Sequence, residues 1–193
     1  QGQYIKMFKD QGMDAVILKH NIDQPFITHL EQKNENLKFL SIDSDLSEIF
    51  KDDADDSEEA KEALKADNDK LSEIFKKALG KDNLQVKAEK LKDAEVSSMI
   101  TINEDSKRMA DMMKMYGMSG MDPEMYGAQG ETLVLNLNNV LVKYILDNPE
   151  SDNVTMFCEQ LYDLAMVGDG QVAPERMTAF IARSNRIMEL LTK

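Results

Sequence analysis

Apolar positions change their period several times along the chain, and each change marks an element. Residues 4–11 (YIKMFKDQ) have helical spacing and are stopped by Gly12, a residue type suited to a left-handed cap. Ala15–Leu18 is a continuous apolar run between turn-like residues, which predicts a buried strand. Asp23 and Pro25 predict a helix start, a capping side chain followed by a preset backbone angle, and Phe26, Ile27 and Leu30 ride on that helix. Residues 37–42 (LKFLSI) return as a second strand, so strand, helix and strand predict a small α/β unit with parallel pairing. Ala60, Leu64, Leu71, Ile74, Phe75 and Leu79 then keep the rhythm of a long helix ended by Gly80. Leu84–Leu91 and Val96–Ile102 read as strands, and Thr132–Asn138 (TLVLNLN) alternates with period two as a third. Asn139–Leu146 is a short helix closed by the Asn148-Pro149 turn.

Two helices finish the pattern, near residues 152–167 and 174–192. Val154, Phe157, Cys158, Leu161, Leu164 and Ala165 form the stripe of the first. Met177, Phe180, Ile181, Ser184, Ile187, Met188 and Leu191 form the stripe of the second, which starts at Pro174. The short Gly168-Asp169-Gly170 connection predicts an antiparallel pair. Met156, Tyr162, Met166 and Leu190 lie off these stripes, so the hairpin is apolar on more than one side and wants a second partner. Self-association into a four-helix bundle meets that need, through Phe157, Leu161, Leu164, Met177, Phe180, Ile181, Ile187, Met188 and Leu191. The expected fold class is therefore α+β. A small α/β unit (1–52) precedes a mixed domain of helices and three strands (53–193) whose terminal hairpin forms a dimeric four-helix bundle.

Methionine is concentrated where this periodicity is weakest. Seven of the fourteen methionines fall between Met109 and Met125, in RMADMMKMYGMSGMDPEMYG. Met109, Met112, Met113 and Tyr116 recur at three and four residues and share one helix face, ahead of a segment with Gly117, Gly120, Gly127 and Gly130. A flexible, polarizable apolar side chain suits a surface that accepts many shapes. The competing readings are core filling and copper(I) binding by thioethers.

Composition narrows the partners. Thirty-six acidic against twenty-three basic residues leave a net charge of −13, which disfavours nucleic acid or an anionic membrane as the main partner. No apolar run approaches the roughly 18 residues of a membrane span. Cys158 stands alone, a buried structural thiol by its pattern, and argues for a reducing compartment. Between Asp43 and Asp69 twelve acidic residues face three lysines; this reads as a solvated helix face plus linker, without the glycine and terminal glutamate of a calcium loop. His20 and His29 lack a second ligand at metal spacing, and neither a nucleophile elbow nor a nucleotide loop is present. No catalytic residue, metal site or cofactor is assigned. The opening Gln1-Gly2-Gln3-Tyr4 runs directly into an amphipathic pattern, which is expected of a fragment of something longer.

Several strings, in this order, resemble one known family. YIKMFKDQGMDAVILKHNIDQPFITHL is similar to the segment that ends the middle domain of bacterial ninety-kilodalton heat-shock chaperones of the HtpG type. RMADMM, LNLNNVLVKYI and the terminal helix pair resemble that family's C-terminal domain. The resemblance implies a cytoplasmic, homodimeric, ATP-driven stress chaperone that binds unfolded or partly folded clients. It places ATP and magnesium in domains outside this sequence, so this portion is expected to have no ATPase activity of its own. It also implies dimerisation through the last two helices and client contact through Met109, Met112 and Met113, with Tyr116 on the same face. Where relatives carry an acidic–aromatic pair after Ile-Asp, this chain has Gln24-Pro25, so that contact is not carried over. The alternatives are a pure dimerisation module without client contact and a methionine-rich copper(I)-binding protein.

Overall fold

A computed structural model describes residues 2–18, 20, 22–39, 42, 57–103, 131–169, 174–190 and 192. Its elements are helices α1 (Gly2–Asp10), α2 (Asp23–Lys33) and α3 (Glu58–Leu79), then strands β1 (Gln85–Glu89), β2 (Ser98–Ile102) and β3 (Glu131–Asn136). Helices α4 (Val140–Asp147), α5 (Val154–Asp169) and α6 (Pro174–Leu190) follow.

The sheet has the order β1-β3-β2. Strand β3 is central, parallel to β1 with Val86 opposite Leu133, and antiparallel to β2 with Ile100 opposite Leu133. The period-two reading of TLVLNLN has a direct consequence here, because alternate side chains go to opposite faces. Leu133, Leu135 and Leu137 join Ala88, Ile100, Leu71 and Phe75 of α3, Val142 and Ile145 of α4, and Cys158, Leu161 and Tyr162 of α5 in the main core. Val134 faces the other way, into a second cluster with Leu91, Val96, Met99 and, from α1, Tyr4 and Met7. A helix far upstream in sequence thus covers the second face of the sheet. The Tyr4 hydroxyl donates to the carbonyl of Ile100, and Lys6 reaches Asp93 and Glu95 at 3.3 and 3.4 Å. These two carboxylates raise the pKa of the exposed Lys6 ammonium above its ordinary value, chiefly by hydrogen bonding.

Asn136, also on the α1 side of β3, is fully buried and uses all of its hydrogen-bonding capacity. Its oxygen accepts from the backbone N–H groups of Leu91 and Asn138, each at 3.0 Å. Its amide donates to the carbonyls of Asp93 at 2.9 Å and Val96 at 2.7 Å. The Leu91–Val96 connection between β1 and β2 is therefore held from inside by one side chain.

The helix boundaries have local causes. Ser57 caps α3 by accepting from Ala60 N–H at 3.2 Å, and Gly80 ends it at φ 63°. Asn139 caps α4 by accepting from Leu141 N–H at 2.9 Å. Gly12 takes φ 68° just after α1. Helix α2 does begin at Asp23, but its N-cap is Ile22, and the Asp23 carboxylate reaches back to His20 N–H at 2.9 Å.

Among the described residues, the two strands expected in the α/β unit are not seen. Ala15–Leu18 has no regular secondary structure and no strand pairing among the described residues, and Val16 and Ile17 are 82% and 77% exposed. The described part of 37–42 is likewise not a strand. An apolar run becomes a buried strand only where another strand offers its edge, and none does here among the described residues. Parallel pairing occurs instead between β1 and β3.

Candidate functional site

Among the described residues of the C-terminal half, the hairpin of α5 and α6 exposes Leu164, Val167, Ile181, Met188 and Leu190. Helix α5 is apolar on two sides, and the fold uses one of them. Val154, Cys158, Leu161, Tyr162, Ala165 and Met166 turn toward the sheet, α3 and α4. Burial raises the Cys158 thiol pKa to about 12, so it remains a neutral packing group at physiological pH. The opposite side carries Leu164 and Val167, 40% and 38% exposed.

Helix α6 lies against that opposite side, and among its described side chains none is buried. Met177, Phe180 and Ile187 are half-buried, while Ile181 and Met188 are 53% and 56% exposed. Polar contacts fix it instead. The Gln160 amide donates to the Ser184 hydroxyl at 2.9 Å, setting the midpoints of the two helices opposite each other. Asp163, 2% exposed, accepts from Arg176 Nε with one oxygen and from Arg183 Nη1 at 2.8 Å with the other. Arg183 also donates to Glu159 at 3.0 Å and to Gln160 at 3.3 Å. The Arg176 guanidinium lies 4.5 Å from the centre of the Tyr162 ring, and the Tyr162 hydroxyl accepts from Lys81 at 2.9 Å. The chain of contacts thus runs from the end of α3, through α5, into α6.

The residues expected to form a self-association face divide as follows. Leu164, Met177, Phe180, Ile181, Ile187 and Met188 remain wholly or partly exposed on the hairpin. Phe157 is half-buried and meets Tyr144 of α4 edge-on, with ring centres 5.6 Å apart. Leu161, 1% exposed, belongs to the core. Leu191 lies outside the described residues, as do Met109, Met112, Met113 and Tyr116.

The Asp163, Arg176 and Arg183 cluster was not anticipated by the apolar pattern. Its traces in the sequence are an aspartate inside the apolar string LYDLAMV and two arginines seven residues apart, on one face of the following helix. Among the described residues no group of three or more His, Cys, Asp or Glu could hold a metal ion. No helix among them is long and apolar enough to cross a membrane.

The sequence of this chain is similar to that of known proteins. The family model described as Hsp90 protein matches residues 1–193. The chaperone protein HtpG of Bacteroides thetaiotaomicron is 31% identical over 157 residues, covering 78% of this chain and 22% of that protein. HtpG of Colwellia psychrerythraea is 25% identical over 194 residues, covering 98% of this chain and 28% of the relative. HtpG of Porphyromonas gingivalis is 30% identical over 156 residues, 75% of this chain and 21% of the relative. The chain thus spans between a fifth and a third of the length of these curated relatives.

Proposed function

The chain belongs to the Hsp90 family, and on that premise we propose that it is the C-terminal portion of an ATP-dependent molecular chaperone. In this reading it is cytoplasmic, pairs two copies of the parent protein and contributes a surface for unfolded clients. Nucleotide chemistry, with ATP and magnesium, is assigned to parts of the parent outside this sequence.

One observation carries the pairing role: α6 has no buried side chain among those described, yet presents Ile181 and Met188 more than half exposed. A helix with an uncovered apolar stripe, anchored on one side only, is completed by a second hairpin in a four-helix bundle. The isologous contact places the same residues on both sides of a twofold axis. Client capture is assigned to Met109, Met112, Met113 and Tyr116. Its support is topological. Residues 103–130 join two neighbouring antiparallel strands, since Ile102 pairs with Glu131, so this methionine-rich insertion is tethered at one corner of a rigid sheet. Two such insertions on one dimer raise the effective concentration of weak apolar contacts.

The test is a pair of measurements on the same chain. Sedimentation equilibrium at micromolar concentration is expected to give a dimer that the Ile181→Asp, Met188→Asp double substitution converts to monomer. Changing Met109, Met112 and Met113 to Ser is expected to weaken binding of a permanently unfolded protein at least tenfold while leaving the dimer intact. A monomeric parent chain would overturn the pairing role, and unchanged client affinity would overturn the capture role.

A further inference from the structure

The attachment of α6 is unusual in its chemistry. Helices in small domains are ordinarily held by apolar burial, and non-directional contacts tolerate sliding by one turn, about 5.4 Å. Here a buried carboxylate lies between the two helices. Asp163 has 2% of its side chain exposed and Arg183 only 13%. Each oxygen of the single carboxylate is taken by a different arginine, and those arginines sit two turns apart on α6.

We infer that Asp163, gripped by Arg176 and Arg183, is a register latch that fixes the axial position of α6 on α5. A slip of α6 by one turn in either direction takes at least one guanidinium off the carboxylate. Burial without a full set of partners is expensive for a carboxylate, so slipped arrangements are penalised far more than they would be by apolar contacts. Two side contacts act in the same sense. Arg176 is stacked on Tyr162, which Lys81 holds from the end of α3, and Arg183 is also bonded to Glu159 and Gln160. The latch is thus referenced to the core as well as to α5. A buried polar group that selects one register at some cost in stability is the best-attested role for such groups in helix pairs. The consequence for pairing rests on the proposed function: the register sets the height at which Ile181 and Met188 of α6 stand beside the exposed Leu164 and Val167 of α5, and so the composite face offered to a second copy. Asp163 and the two arginines are then positioning residues for self-association.

Register is read directly by paired cysteines. Gln160→Cys with Ser184→Cys reports the observed alignment, because these two side chains touch. Gln160→Cys with Ile181→Cys, or with Met188→Cys, reports a shift of about one turn each way. With Asp163 intact, mild oxidation by diamide is expected to close only the 160–184 pair. In the Asp163→Asn background the two shifted pairs are expected to close at rates within threefold of the 160–184 pair. The dimer dissociation constant is expected to rise at least tenfold, with amide exchange in β3 unchanged as the control for folding. Should Asp163→Asn not fold, Arg176→Gln removes one arm at a partly exposed position and is expected to open the pair shifted toward one side. Exclusive 160–184 closure in these backgrounds overturns the latch. Apolar replacement of all three residues (Asp163→Leu, Arg176→Met, Arg183→Leu) gives a second decision. A compact hairpin with mixed cross-links supports the latch, and exclusive 160–184 closure shows that packing alone sets the register. A monomeric parent chain that still slips on Asp163→Asn removes the pairing role and leaves the latch in place.

Discussion

The two sides of helix α5 are held by different physics. Toward the sheet it buries Cys158, Leu161, Tyr162 and Ala165 among side chains such as Phe75, Leu133 and Ile145, several with no exposed surface at all. Toward α6 the buried anchor is a carboxylate between two guanidinium groups, and the apolar side chains around it stay half open. Apolar burial supplies most of the free energy of a fold but little directional information, whereas charge pairs contribute modest net stability and strict geometry. The sheet side therefore carries stability, and the hairpin side carries orientation and an unfinished surface.

The comparison breaks most readily at Phe75. Phe75→Ala is expected to cost about 3–5 kcal/mol in urea unfolding, with protection lost across the whole sheet. A cost under about 1 kcal/mol would mean that the main core is not the seat of stability. Asn136→Ala is next. It leaves the buried N–H of Leu91 and the carbonyl of Val96 without their partner, and about 3 kcal/mol of lost stability is expected from the same measurement.

A smaller effect separates the sides by pH. The folded Cys158 thiol keeps its proton up to about 12, above the ordinary 9.0, because burial disfavours the thiolate. Between these limits the unfolded chain binds fewer protons than the folded one, so stability falls as pH rises through that window and is unaffected below it. The wild type should show a steeper alkaline decline than Cys158→Ala in thermal melts taken between pH 8 and 11. Parallel declines would place this thiol in contact with water. The smallest effect is expected on the hairpin. Ile181→Ser should shift monomer stability by no more than about 0.5 kcal/mol, measured at a concentration too low for self-association. A loss like that of Phe75→Ala would show that α6 is part of the core after all.

Much of the sheet side was legible in the sequence. The stripe Leu64, Leu71, Ile74, Phe75 and Leu79 with Gly80 behind it specifies α3, because period and cap are local properties of the chain. TLVLNLN specifies β3 and its two faces for the same reason, and the terminal helices follow from their spacing. The candidate site was legible only as composition. The stripe through Leu161 and Leu164 looks continuous, yet Leu161 turns into the core and Leu164 turns out. Residues three apart on a helix point up to about 60° apart, and which of them is covered depends on the neighbour.

What the sequence by itself determined is therefore the described elements of the C-terminal half, the buried thiol, and the apolar surplus of the last two helices. Partnership was decided only in three dimensions. Ala15–Leu18 has the composition of a strand but no edge to join among the described residues, so it stays irregular and exposed. Helix α1 has an ordinary amphipathic pattern, and only the fold sends Tyr4 and Met7 to the face of a sheet begun some eighty residues later. Asp163 reads as one more acidic residue in a chain of net charge −13 until two arginines from the next helix close on it. Periodicity is set by neighbours a few residues away. Pairing, burial of charge and register are set by groups that meet only when distant segments pack.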